Sequence, residues 1–171
     1  MLRLRTDLVV GLAIAFLVAA APGAGADHLH HAVARLDGYQ EVPTLSTTGT
    51  GTLTATIDDG AMVISYELRY EGLESATTGA HLHLGRRAVN GGVIAFLCGG
   101  GKPACPPAGT VSGTIVPADV VGPAEQGIAP GAFAELVRAI RHGAVYANVH
   151  TTGRPGGEIR GQLRLNIGVR N

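Results

Sequence analysis

The sequence predicts an all-β fold: an antiparallel, Greek-key-like β-sandwich or partly closed barrel, with one short inserted helix at about residues 130–142. Three observations carry that prediction. Strand-length runs alternate apolar and polar residues, the signature of a sheet with one face in a core. Glycine, 26 residues of it, and 9 prolines punctuate those runs as turns. Only one stretch spaces its apolar residues for a helix. With no Trp, 3 Phe and 4 Tyr, the core must be built from Val, Ile, Leu and Ala on short strands.

Taken in order, 32–38 (AVARLDG) makes a short alternating strand that enters a turn-rich segment. In 52–58 (TLTATID), Leu53, Ala55 and Ile57 share one face and threonines the other. Asp58-Asp59-Gly60 is a hairpin signal. The partner strand, 62–70 (MVISYELRY), puts Met62, Ile64, Tyr66, Leu68 and Tyr70 together. GAHLHLG (79–85) follows, then the loop GRRAVNGG and VIAFL (93–97), whose continuous apolar run reads as a central buried strand. GTVSGTIV (109–116) is a further strand. Pro130 opens the helix, in which Phe133, Leu136, Val137 and Ile140 fall at i, i+3, i+4 and i+7 and Gly143 supplies a left-handed cap. AVYANVH (144–150) and EIRGQLRLN (158–166), joined by TTGRPGG, complete the domain. No internal repeat recurs at a fixed period.

The ends and the composition bound the function. Arg3 and Arg5, an apolar run of about a dozen residues and Ala24-Gly25-Ala26 form the pattern of a secretory signal peptide over residues 1–26. A single mature domain, 27–171, is then expected outside the cytoplasm, secreted or periplasmic, with no membrane span after cleavage. Acidic and basic residues balance at 13 each, which gives no electrostatic case for nucleic acid. In an exported chain, Cys98 and Cys105 read as a disulfide stapling a Gly/Pro loop; a thiolate pair for zinc or copper(I) is the competing reading.

Histidine is the residue type with a chemical pattern. His81 and His83 alternate with Leu82 and so share a face, and His150 lies on the polar face of a later strand with Tyr146 and Asn148. Three imidazoles from neighbouring strands suit copper or zinc, with Tyr146, Asn148 and Glu158 as candidates to orient them. The same imidazoles also suit hydrogen bonding to loop carbonyls, Glu158 or threonines, with no metal. His28, His30 and His31, beside a freed N-terminus, form a second candidate for metal capture. His142 reads as a helix C-terminal charge, and Arg154 as a partner of Glu158. No Ser-His-Asp elbow, HExxH or phosphate-cradling loop is present, so the expectation leans away from an enzyme. A glutamate such as Glu158 acting as a base beside a metal is the one thin catalytic reading.

The combination of GAHLHLG, NGGVIAFLC and GAVYANVHTTGRPGGEIRGQL, with ARLDGYQEVPTLSTTGTGTLTATID before them, resembles the CHRD domain family, named for the chordins and found as single domains in secreted bacterial proteins. The resemblance runs from about Ala34 to Leu165. It implies a β fold and an extracellular compartment, and it supplies no reaction. A weaker, local likeness links His-x-His to the copper ligands of copper-zinc superoxide dismutases, whose zinc loop has no counterpart here. Three functions are therefore expected in order: a copper- or zinc-binding protein; an extracellular domain whose loops 85–92 and 151–157 bind a protein or glycan; and a dismutase-like oxidoreductase.

Overall fold

The computed structural model describes residues 29–166; the signal-peptide pattern and His28 lie outside the described residues. The strands are β1 (Leu29–Asp37), β2 (Thr50–Asp58), β3 (Val63–Glu71), β4 (Thr77–Leu84), β5 (Val93–Cys98), β6 (Gly109–Ile115), β7 (Val145–Thr151), β8 (Ile159–Gln162) and β9 (Arg164–Leu165), with helix α1 (Phe133–Arg141) between β6 and β7. All strand pairs are antiparallel, in the order β5-β4-β7-β8-β1-β2-β3-β6, with β9 added to β1. The sheet curls until its two ends meet, giving a nearly closed barrel. The seam between β5 and β6 is bridged by side chains. Tyr66 Oη donates to Leu97 O at 2.7 Å, and Lys102 Nζ donates to Thr114 O at 2.9 Å while pairing with Asp119 at 2.8 Å.

Alternation decides what fills the barrel. Leu53, Ile57, Ile64, Leu68, Leu82 and Ile159 are all buried on the inner face, each fully buried side chain contributing about 1.5–3 kcal/mol of hydrophobic stabilisation. Helix α1 presents Phe133, Leu136, Val137 and Ile140 to the same core. Gly143, at φ 61°, turns the chain out of the helix into β7 as expected. Cys98 and Cys105 are joined in a disulfide that closes the loop between β5 and β6.

Four details differ from expectation. The β2–β3 hairpin exists, but its turn takes four residues: Asp58 Oδ1 accepts from Ala61 N, and Met62 itself adopts φ 53°. Met62 is accordingly exposed at 53 % rather than lying with Ile64 and Tyr66. VIAFL forms a terminal strand of the sheet, not a central one. Its apolar run reports burial, and a nearly closed barrel buries its end strands too, here with Val121 N donating to Ile94 O at 2.8 Å. Helix α1 begins at Phe133 because Gly131, at φ 82°, and the Ala132 N to Ala129 O bond keep the preceding residues in a turn.

Candidate metal centre

The site is built on the outer face of β4, β7 and β8. Across β4 and β7, His81 faces Asn148, His83 faces Tyr146 and Gly79 faces His150. On the next strand Asn148 faces Arg160, and Tyr146 faces Gln162. The inner faces of the same strands carry Ala80, Leu82, Ala147 and Val149, all buried. Strand β4 is irregular where the histidines lie, with register shifts against β5 at Ala80/His81 and Leu82/His83. Such bulges re-aim side chains that a flat strand would hold parallel.

The three predicted histidines come together. Ring centroids lie 5.6 Å apart for His81 and His83, 4.7 Å for His81 and His150, and 5.8 Å for His83 and His150. One ring nitrogen from each falls within 4.8 Å of the others. The remaining contacts fix two of the three protonation patterns. His83 Nδ1 donates to Gly91 O at 3.0 Å, and His150 Nδ1 donates to Pro155 O at 3.0 Å. A carbonyl only accepts, so each Nδ1 carries the proton and each Nε2 keeps a lone pair. His83 Nε2, His150 Nε2 and His81 Nδ1 are buried and have no hydrogen-bond partner among the described residues.

Electrostatics keep these rings neutral. Burial pulls the His81 imidazole down to about 4, helped by the positive charge its two neighbours would carry if protonated. Burial also holds His83 at about 4, despite the favourable bond to Gly91 O. His150 is lowered chiefly by burial, with Arg160 adding to the effect against the bond to Pro155 O.

Packing holds the rings in place. His83 stacks on Tyr146, centroids 4.9 Å apart and planes 7° from parallel, and the Arg160 guanidinium lies 4.5 Å from the same Tyr146 ring. Arg160 is anchored by Glu41, Nε to Oε2 at 2.8 Å, and by Asn90 Oδ1 at 2.8 Å. Burial raises the Glu41 carboxyl even though Arg160 opposes this, and Glu41 Oε1 is left without a partner. Tyr146 Oη accepts from Gly91 N at 3.1 Å, so the loop that supplies the carbonyl for His83 is pinned by the residue that stacks on it. Phe96 on β5 meets His81 edge-on at 4.7 Å. Gly79 leaves room for that imidazole, since a Cβ there would meet His81 Nε2 at 3.1 Å.

The other predicted site residues have different places. Tyr146 contacts a histidine directly. Asn148, 1 % exposed, instead reaches Gly156 O at 3.5 Å and packs against Gly157, steadying the loop that carries Pro155. Glu158 is fully buried and bonded to none of the imidazoles. Its carboxylate accepts from Thr47 Oγ1, Glu74 N and Thr151 Oγ1 at 2.7 to 2.8 Å, which makes it a pin between loops rather than an orienter or a base. Arg154 therefore pairs with exposed Glu74, at 3.8 Å, and not with Glu158. His30 and His31 both lie in β1, where His30 contacts Arg141 and Asp59 and His31 reaches Thr56. His142 is the C-cap residue of α1 and is exposed. Glu41, Asn90, Arg160 and Pro155 do not stand out in the sequence as site residues, although each lies in a motif that carries the family resemblance: Glu41 in the opening Glu-Val-Pro, Asn90 in NGGVIAFLC, and Pro155 and Arg160 in TTGRPGGEIRG.

Compared with known proteins, the chain matches no curated protein and no solved structure. Against family models, residues 32–163 match the CHRD domain. The match takes in most of β1, every strand from β2 to β8 and all three clustered histidines, and the chain belongs to the CHRD domain family.

Proposed function

We propose that this CHRD-domain protein binds one copper or zinc ion through His81, His83 and His150, outside the cytoplasm. The observation that carries the reading is the convergence of three neutral imidazoles, two of which have the proton committed to a backbone carbonyl and a buried lone pair turned elsewhere. Nitrogens bound to such an ion at about 2.0–2.1 Å stand roughly 3.3 Å from one another in tetrahedral geometry. The ligand nitrogens present lie within 4.8 Å of one another. The all-imidazole donor set suits copper(II) and zinc, and backbone carbonyls accepting from the far ring nitrogens are the usual support for such ligands. A three-ligand set leaves a coordination position for water or an exogenous ligand. Among the described residues no carboxylate joins the three imidazoles in the cluster, so binding or carriage of the metal fits better than hydrolysis. The signal-peptide pattern, the disulfide and the family match support an exported protein.

Titration of the chelator-stripped protein with zinc(II) and copper(II), followed by metal analysis after dialysis, tests the reading. One ion per chain is expected, lost when His81→Ala, His83→Ala and His150→Ala are combined while the β-sheet circular dichroism survives. An ion that remains in this variant, or no retention by the natural chain, refutes the assignment.

A further inference from the structure

Among the described residues nine arginines are present, and five of them pair with a carboxylate: Arg69, Arg138, Arg141, Arg154 and Arg160. The other four, Arg35, Arg86, Arg87 and Arg164, have no carboxylate within ion-pair distance among the described residues, and they are not scattered. Arg86, Arg87 and Arg164 surround one open concavity of about 430 Å³, floored by Gln162 and Gly143. Arg35 belongs to the same face. It lies on β1 midway between Val33, which faces Arg164, and Asp37, which faces Arg160.

The floor is built rather than accidental. Gln162 Nε2 lies 2.8 to 3.0 Å from Gly85 O, Gly143 O and Val145 O, which share its two N–H groups, and it ties the base of the 85–92 loop to the end of α1 and the start of β7. Among the described residues no acidic side chain lines the concavity or the narrow cleft that adjoins it under Arg86 and Arg87. Two carboxylates on the neighbouring segment are already engaged, Glu41 by Arg160 and Asp37 by Gln40. In a chain of zero formal charge, like charges gathered without a counter-ion raise the local potential and lose stability by repulsion. Guanidinium forks match phosphate and sulfate oxygens two at a time, and arginine is the residue suited to such anions.

We infer that the Arg86, Arg87 and Arg164 concavity is a binding site for a multiply charged oxyanion of the phosphate- or sulfate-ester class. It is separate from the histidine cluster and does not rest on the metal reading. The two sites share the 85–92 loop, whose Gly91 bonds His83 and Tyr146 while its arginines face the concavity.

The test is calorimetric titration of metal-stripped protein with sodium tripolyphosphate and, separately, with a heparin-derived tetrasaccharide at low and at physiological salt. The natural chain is expected to bind at least one of them, more weakly at the higher salt because exposed charges are screened. The stronger of the two identifies the phosphate or the sulfate source. The double variant Arg86→Gln, Arg87→Gln is expected to lose at least about tenfold in affinity. A charge-matched control, Arg69→Gln with Arg138→Gln, retains binding because both of those residues are exposed and paired elsewhere. Absence of binding by the natural chain overturns the inference. So does an equal loss in the control, since that would mean binding to net charge and not to this concavity.

Discussion

Two outer faces of this barrel are written in the same alternating code and end in opposite environments. On β2 and β3, Thr52 faces Arg69 and Thr54 faces Glu67; the Arg69 and Glu67 side chains are 68 % and 42 % exposed. On β4, β7 and β8 the equivalent positions hold His83, Tyr146, Asn148 and Arg160, none more than 7 % exposed. The first face meets water. The second is roofed by loops that contribute Glu41, Asn90, Gly91 and Pro155. Alternation separates the core side of a strand from its other side, but the coverage of that other side is decided by loops far away in the chain. Chemistry collects under the roof because desolvation there keeps imidazoles neutral and makes each polar contact stronger.

The sharpest way to break the contrast is to remove a charge from each face. Arg160→Ala strands the buried Glu41 carboxylate and is expected to cost about 3–5 kcal/mol of unfolding free energy. Urea denaturation measures it, and a cost below 1 kcal/mol would mean that the roof opens to water. Acid should separate the faces as well. In the unfolded chain the histidines titrate near 6.5, whereas His81 and His83 in the fold stay neutral down to about 4 and His150 is also lowered. Between those values the unfolded chain binds protons that the native metal-free chain refuses, so stability falls as pH drops from about 6.5 to about 4. Urea midpoints across that window should slope steeply in the natural chain and flatten in the combined histidine variant; equal slopes would count against buried neutral rings.

How much of this was legible follows from what carries each feature. The strands β2, β3, β4 and β7 declare themselves because Leu53, Ile64, Leu82 and Val149 alternate with polar residues, and the histidine cluster is legible for the same reason. The Glu41–Arg160 pair is not, since its partners are a turn residue and a strand residue that no local period connects. Glu158 reads as an orienter of the histidines or a partner of Arg154, and its burial is not legible because its three actual partners come from separate segments. His30 and His31 read as candidates for metal capture beside the N-terminus, yet backbone pairing with β2 draws them into β1 and onto opposite faces.

Smaller effects sharpen the comparison. Gly157 adopts φ 123°, and a Cβ there would meet the Asn148 amide at 2.4 Å. Gly157→Ala should therefore cost about 1–3 kcal/mol and shift the loop that holds His150, measurable as a lowered melting temperature together with weakened zinc binding. Tyr146→Leu keeps an apolar neighbour for His83 but loses the stack and the bond to Gly91. It is expected to weaken metal binding about 10–100-fold with the fold intact, as read by competition against a chromophoric chelator. On the exposed face, Arg69→Ala should change stability by no more than about 0.5 kcal/mol.

Pulsed electron paramagnetic resonance of the copper(II)-loaded protein, counting the imidazoles around the ion, tests the central claim most directly. Three imidazoles per copper in the natural chain, falling to two in His150→Ala, is the result the account predicts. A single imidazole, or a spectrum unchanged by His150→Ala, would contradict it and leave the three histidines as hydrogen-bonding supports for the loops above them.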